Sequence, residues 1–271
     1  MRLRLVAVVA LALVLAGTAG AANRILAVGD FGVGGESERA TGAAMKRFEA
    51  THPASYLVTL GDNDYTKGRA FAANWQEAFG WLPAAGVKVA GTLGNHDYEA
   101  GQSRAEFAAL GMPGPYYTRK VANAQLFLLD SEMIDDPAQT AWLAQALEAS
   151  KAAWKIAVFH HPPYSCGFHS GNDDVVAQWV PLFERYGVQL VLSGHEHSYQ
   201  RFRARRGVTY VVHGGGGAVL YPPASCPGEY PKRLFSRMGF GFLSVYAGKR
   251  RLKVTAIDRQ GRSVDSVILT R

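Results

Sequence analysis

Leu190-Val191-Leu192-Ser193-Gly194-His195-Glu196-His197 is an apolar run that stops at a small-residue turn, with two imidazoles following one residue apart. An aliphatic, β-branched run of this length reads as a buried strand. Gly194 lets the chain turn sharply at its end, so that His195 and His197 face a shared point. Neutral imidazole is the commonest side-chain metal ligand near neutral pH. Taken alone, the stretch reads more readily as two ordinary loop histidines. What changes the reading is that the same construction occurs four more times upstream.

Residues 25–28 are apolar and run into Gly29-Asp30-Phe31-Gly32. Residues 56–60 end in Gly61-Asp62-Asn63-Asp64-Tyr65, and residues 87–93 in Gly94-Asn95-His96-Asp97-Tyr98. Residues 156–159 end in His160-His161-Pro162-Pro163. Between these strands the period changes to that of helices. One is expected over 37–50, capped by Ser37, with Ala40, Ala44, Met45 and Phe48 on one face. Others are expected around 71–79 and 103–110. A further helix starts at Asp136-Pro137, where Asp136 caps and Pro137 occupies the first turn. Asp173 or Asp174 caps another, with Val176, Trp179, Val180 and Phe183 inward and a kink at Pro181. Residues 116–120 and 125–129 read as a hairpin with Asp130 at its end. Beyond residue 205 the pattern is β-rich, with strands expected over 208–212, 241–246, 252–257 and 264–269. No linker, repeat or charge block divides the chain, so residues 23–271 are expected to form one domain.

A chain that is 48% hydrophobic over 271 residues has ample apolar surface for a core, which excludes a disordered class. Arg2 and Arg4, the apolar stretch 5–16 and the small residues 17–22 have the layout of a secretory signal peptide. A retained membrane anchor is the alternative, but the run is short for a span of roughly 20 residues. Cleavage is expected near residues 21–23, giving a secreted or periplasmic protein. The formal charge of +7 falls to +5 without Arg2 and Arg4, moderate for this size. The densest basic cluster, residues 201–206, reads as a basic loop beside an anion-binding site rather than a nucleic-acid surface. Cys166 and Cys226, each in a Pro/Gly-rich loop, are expected to form a disulfide rather than two free thiols. Gly32, Gly34 and Gly35 are not a nucleotide loop, because the Lys and Ser/Thr of that motif are missing.

Asp30, Asp62 with Tyr65, Asn95 with His96, His160, and His195 with His197 thus all fall at strand ends. In open α/β sheets, functional sites gather at the carboxyl ends of strands. Carboxylates, imidazoles and a carboxamide form a mixed N/O set suited to iron, zinc or manganese and too rich in nitrogen for calcium. One metal takes about four to six ligands, so a set this large implies two metals bridged by a carboxylate. Such a pair acidifies a bound water and holds the oxygens of a tetrahedral anion, which is phosphate-ester chemistry.

The ordered motifs Gly29-Asp30-Phe31-Gly32, Gly61-Asp62-Asn63-Asp64-Tyr65, Gly94-Asn95-His96-Asp97, Phe159-His160-His161-Pro162 and Gly194-His195-Glu196-His197 resemble the calcineurin-like metallophosphoesterases, and more narrowly the purple acid phosphatases. The resemblance implies a four-layer α/β/β/α sandwich of two mixed sheets flanked by helices, with the β-rich tail in the second sheet. It implies a first metal on Asp30, Tyr65 and His197, a bridging Asp62, and a second metal on Asn95, His160 and His195. It implies Fe(III) at the tyrosinate and Fe(II), Zn or Mn at the other position. His96 would face substrate and His161 would not bind metal. His169, nine residues past His160, resembles a substrate-facing histidine that protonates the leaving group. His213 and Arg201 are further candidates for substrate contact; a strand-end histidine and a structural salt bridge are their alternatives. Asp64 and Asp97 are expected to support the ligands, and Glu196 has no assigned role. The implied activity is hydrolysis of small phosphate monoesters by metal-bound hydroxide. Its rivals are a phosphodiesterase or nucleotidase on the same centre, and a secreted phosphate- or metal-binding protein without turnover.

Overall fold

Along the first strand Ile25 and Ala27 face one way and Leu26 and Val28 the other, and all four are buried. A strand apolar on both faces needs a layer on each side. In the computed structural model, which describes residues 23–99, 101 and 104–271, both layers are present. The targeting segment expected over residues 1–22 and the expected helix start at Ser103 lie outside the described residues.

Among the described residues the chain runs β1 (Arg24–Val28), α1 (Gly35–Glu49), β2 (Tyr56–Thr59), α2 (Phe71–Phe79), β3 (Lys88–Ala90), α3 (Asn95–Glu99) and α4 (Arg104–Ala109). The hairpin β4 (Tyr117–Val121) and β5 (Ala124–Leu128) leads to α5 (Pro137–Ala149), β6 (Trp154–Val158), α6 (Asp173–Gln178) and α7 (Val180–Arg185). Seven strands close the chain. They are β7 (Leu190–Ser193), β8 (Tyr199–Phe202), β9 (Thr209–His213), β10 (Arg233–Arg237), β11 (Gly241–Ala247), β12 (Arg251–Asp258) and β13 (Ser263–Thr270).

One sheet has the order β13-β12-β11-β1-β2-β3 and the other β10-β8-β9-β7-β6-β5-β4. Both are mixed: β1, β2 and β3 are mutually parallel, as are β5, β6, β7 and β9, while the outer strands are antiparallel. Ile25, Val58, Leu128, Ile156, Leu192 and Leu243 share the core between the sheets. Leu26, Val28 and Leu57 pack outward against Ala44 and Met45 of α1 and Phe79 of α2. On the far side Phe127, Ala157 and Val191 pack against Leu143, Leu147, Trp179 and Phe183 of α5–α7. The layers are therefore α/β/β/α, as expected.

The tail departs from expectation. It does not belong to the second sheet alone, because β11, β12 and β13 extend the sheet of β1. With β2 on one side, β1 would otherwise present an open edge, and β11 covers it in antiparallel register, Ile25 opposite Val245. Two local corrections follow from the same structure. Ser37 does not cap α1; Gly34 does, with φ 74°, and Ser37 lies inside the first turn, where its hydroxyl donates to Gly217 O at 2.8 Å. Asn172, not Asp173 or Asp174, caps α6 by accepting from Val175 N at 2.9 Å. The expected single helix breaks at Trp179 into α6 and α7, because Pro181 cannot donate to the preceding turn and crowds its carbonyl. The Asp136 cap and Pro137 start of α5 appear as read, Asp136 accepting from Ala138 N at 2.9 Å.

A disulfide joins Cys166 to Cys226 across 60 residues of sequence. Cross-linking a loop of that length restricts the unfolded chain by about 2–4 kcal/mol. Cys226→Ser, or reduction, should therefore lower the unfolding free energy by that amount in a denaturant titration.

Candidate metal centre

Each of the five motif turns follows a strand: β1, β2, β3, β6 and β7. At three of them the residue bearing the donor has a left-handed backbone: Asp30 (φ 58°), Asp62 (φ 53°) and His195 (φ 68°). For residues with a Cβ such a conformation costs on the order of 1–3 kcal/mol and persists only where the surroundings enforce it. Backbone bonds do so here, with Asp30 N donating to Gly61 O at 3.0 Å and Gly194 N to His160 O at 3.1 Å. The left-handed residue of the last motif is thus His195 and not Gly194. Gly194 is needed for room, since a Cβ there would lie 2.5 Å from Asp30 Oδ2. Gly61 makes the same space for His160 Nδ1, and Gly94 for Asp62 Oδ1. At these three turns the glycine before the donor leaves space for a donor of another strand.

The donor atoms then meet. Tyr65 hydroxyl donates to Asp62 Oδ2 at 3.0 Å and lies 3.1 Å from His197 Nε2 and 3.5 Å from Asp30 Oδ1. His197 Nε2 is 3.3 Å from Asp30 Oδ1. On the other side His160 Nε2 lies 3.3 Å from Asp62 Oδ2, 3.2 Å from Asn95 Oδ1 and 3.2 Å from His195 Nδ1. The seven side chains form two overlapping groups with Asp62 between them. Two of the histidines are oriented by carbonyls, which can only accept: His160 Nδ1–H donates to Leu60 O at 2.9 Å and His197 Nδ1–H to Val219 O at 2.6 Å. In its neutral form each therefore turns an Nε2 lone pair toward the cluster, the arrangement a metal ligand requires.

The charge balance fits cations. Asp30 and Asp62 are buried. Burial disfavours the imidazolium of His160, but the charge of Asp62 beside it outweighs this and lifts its pKa to about 9. His195, by contrast, is driven down by burial and by the neighbouring His160. Burial, then the charges of Asp30 and Asp62, push the Tyr65 phenol far above its ordinary range. A cation among these atoms reverses that order and favours phenolate, because it supplies the charge that protons otherwise supply.

Around the donors the structure adds support. Asp97 accepts from the backbone of Asn63, Asp64 and Gly94 at 2.7, 2.9 and 2.8 Å, tying the second motif to the third. Asp64 accepts from Thr66 N and Gly68 N and shapes the following turn. Glu196, which the sequence assigns no role, is buried and accepts from His169 N at 2.8 Å, so it holds the loop that carries His169. The one signal for it was a carboxylate set between two imidazoles. His96 donates its backbone N–H to Asp62 Oδ1 at 2.9 Å, and its part-exposed ring lies 4.2 Å from that of Tyr65. The ring of His169 lies 4.1 Å from that of His195. His161 also comes close, its ring 4.4 Å from that of His195, and its nitrogen lies within reach of the His160 and His195 nitrogens. Its Nδ1 is 2.9 Å from Ser131 Oγ and its Nε2 3.5 Å from Glu132, which reads as a wall of the site.

Two candidates lie elsewhere. Arg201 forms a two-pronged pair with Asp265 at 2.6 and 3.0 Å, the structural salt bridge that was its alternative. Of its cluster, Arg201 and Phe202 belong to β8, while residues 203–206 form an exposed turn in which Arg206 pairs with Glu184 at 3.0 Å. His213 ends β9 and lines a narrow gap of about 20 Å³ with Tyr199, Arg237 and Phe240, where burial lowers its pKa to about 4. It pairs with Tyr199 of β8, whose ring lies 6.1 Å from its own.

A two-sheet sandwich with this donor cluster at its strand ends defines a metallophosphoesterase. A family model for calcineurin-like phosphoesterases matches residues 23–199, and the chain belongs to that family. The family and its purple acid phosphatase relatives imply a dimetal centre. Tartrate-resistant acid phosphatase type 5 of Rattus norvegicus is 26% identical over 297 residues, covering 92% of this chain and 90% of that protein. Among solved structures, GAP50, described as the anchor in the inner membrane complex of Plasmodium, superposes with a TM-score of 0.75 at 16% identity, covering 91% of this chain and 88% of that one. The purple acid phosphatase PPD1 from yellow lupin seeds has a TM-score of 0.74 at 18% identity, covering 92% of this chain and 53% of that one.

Gly94→Ala tests the spacing argument. The added methyl meets Asp62 Oδ1, so overpacking of about 1–3 kcal/mol should appear in thermal unfolding. Metal content by plasma mass spectrometry should fall with it.

Proposed function

We propose that this chain is a secreted or periplasmic phosphatase that cleaves small phosphate monoesters, with residues 23–271 as one catalytic domain. Asp30, Tyr65 and His197 would hold one metal ion and Asn95, His160 and His195 the other, with Asp62 shared between the two groups. The observation that carries this reading is the position of Asp62 Oδ2, 3.0 Å from Tyr65 hydroxyl and 3.3 Å from His160 Nε2, between the two donor groups. A phenolate donor suits Fe(III), and the nitrogen-richer group suits Fe(II), Zn or Mn. Two such ions supply an acidified water and neutralise the oxygens of a phosphoryl group.

The remaining work falls to this chain's own side chains. His96, tilted against Tyr65 and anchored through its backbone to Asp62, directs its ring N–H to a phosphoryl oxygen. His169, on the opposite wall, gives a proton to the leaving oxygen. Glu196 holds the backbone of His169 before substrate arrives, which lowers the ordering cost on binding. Names of the relatives support an acid phosphatase, and the disulfide is consistent with an oxidising compartment.

The fold alone does not require turnover, since the Plasmodium neighbour is described as an anchor. A metal-binding protein without turnover is the rival, and His96 and His169 beside the donors argue against it. A diesterase or nucleotidase on the same centre is separated by comparing mono- and diester rates.

With an aryl phosphate, chelation or Asp62→Asn should reduce kcat by about 100-fold or more, and full turnover in the variant would reject the proposal. His169→Ala should cost about 100-fold on alkyl esters, whose leaving oxygen needs a proton, and much less on activated aryl esters. Metal analysis and the visible spectrum should show one iron per chain with a tyrosinate charge-transfer band; a colourless, iron-free active enzyme would refute the iron assignment.

A further inference from the structure

We infer that the end of the sandwich opposite the metal centre is a docking face for an anionic lipid surface, which holds the chain on a membrane with its metal centre turned to water. The inference goes beyond the phosphatase reading and does not depend on it.

The donors of the centre follow the carboxyl ends of β1, β2, β3, β6 and β7. At the amino ends of these strands one sign of charge gathers. Arg24 begins β1, Lys88 begins β3 and Lys151 precedes β6. Lys120 closes β4, which runs antiparallel to β5 and so finishes at the same end. β11 is antiparallel to β1 and finishes there too. Its turn into β12 adds Lys249, Arg250 and Arg251, with Lys253 two residues on. Arg24 is half-buried and the others are exposed.

These side chains belong to one surface. Lys151 and Lys120 line a groove of about 670 Å³, and Lys120 and Lys88 a second of about 470 Å³. Lys88 N donates to Ser55 O at 3.0 Å and Ser55 N to Arg24 O at 2.9 Å, which sets Arg24 beside them. Arg24 and Lys253 line a third groove with Tyr246, the strand partner of both. The basic turn is braced across the two sheets, Trp154 Nε1 donating to Gly248 O at 2.7 Å and Asn123 Nδ2 to Ala247 O at 2.9 Å.

Elsewhere on the chain arginines meet carboxylates, as Arg39 does Glu77, Arg201 does Asp265 and Arg262 does Asp258. None of the basic side chains at this end forms an ion pair among the described residues. Glu49 and Glu148, at the ends of α1 and α5, pair with none of them. A field of one sign that the protein leaves unneutralised attracts an extended anionic surface.

Apolar side chains decide which anion. Tyr246 and Ile268 are 41% and 53% exposed and stand on either side of Lys253 as its cross-strand partners, so all three share one face. A tyrosine ring suits the headgroup level of a bilayer, with its apolar body inward and its hydroxyl in water. Each Lys or Arg near an anionic leaflet adds about fivefold to binding. A soluble polyanion offers the charge but no hydrocarbon for Ile268.

Co-sedimentation of the exported protein with vesicles tests this without turnover. Phosphatidylcholine vesicles containing roughly one-third phosphatidylglycerol should retain it, and pure phosphatidylcholine should not. Salt at about 1 M, which cuts the screening length to ~3 Å, should release it. Lys249→Gln, Arg250→Gln and Arg251→Gln together should weaken binding about 100-fold, whereas Arg250→Lys with Arg251→Lys should leave it unchanged. Lys67→Gln, two residues past Tyr65 at the metal-centre end, should have no effect, and Lys253→Gln should cost about fivefold. Binding that survives the triple exchange, or an equal loss from Lys67→Gln and Lys253→Gln, overturns the docking face. Ile268→Ser should weaken vesicle binding about three- to tenfold and leave binding of dextran sulfate unchanged. Dextran sulfate bound as tightly as the vesicles, with Ile268→Ser neutral for both, overturns the lipid assignment in favour of a soluble polyanion. Each of these failures leaves the phosphatase reading intact, because none of the readouts uses hydrolysis.

Discussion

Two buried carboxylates and a phenol crowded into the space of a few ångströms set the terms for the rest of this molecule. Asp30 and Asp62 are each paired with an imidazole, His197 and His160, rather than with a fixed cation. Moving a carboxylate out of water costs several kcal/mol even after relaxation. The fold accepts that cost at the seam where two sheets bring their strand ends together. His195 N donates to Asp30 Oδ2 at 2.9 Å, and His160 Nδ1–H donates to Leu60 O, so the seam itself is sewn across the sheets. The donor geometry is consequently a property of the sandwich, and no single loop could hold it.

The local strain has the same origin. Left-handed backbones at Asp30, Asp62 and His195 bring each side chain back over the end of its strand. Glycines at 61, 94 and 194 let a donor from a different strand pass where a methyl group would stand. Behind them Asp97 and Glu196, which do not belong to the donor set, spend their carboxylates on backbone N–H groups. Such outer contacts hold a constellation to the tolerance that catalysis requires. They also decide which side chains flank the donors: His96 on one wall, His169 on the other.

Much of the architecture was legible because local physics and global packing agree. The Asp136-Pro137 start of α5 has its cap and its proline where a helix needs them, and α2 spans the residues its apolar spacing marks. Misreadings occurred where a distant partner decided. Ser37 looks like a cap, but its hydroxyl is taken by Gly217 on a remote loop, and the glycine pair before it begins the helix instead. Residues 241–270 read as strands, yet nothing in their alternation says which sheet they join. That depended on β1 having an open edge. β8 and β10 carry no clear strand signal, because their alternation is short and interrupted by arginines that pair across space.

By itself the sequence marked the candidate donors and their order, because a strand end that runs into a polar group is a local pattern, with a glycine between them at four of the five places. It also determined the layered class, through alternating strand and helix periods. Tertiary structure alone decided which donor stands beside which, and that Asp62 lies between the two groups. It moved Arg201 to Asp265 and His213 into a narrow gap, and it gave Glu196 its place under the His169 loop. The reason is physical: spacing along a chain specifies which way a side chain leaves its own element, while the neighbour it meets is set by strand pairing between segments far apart in sequence.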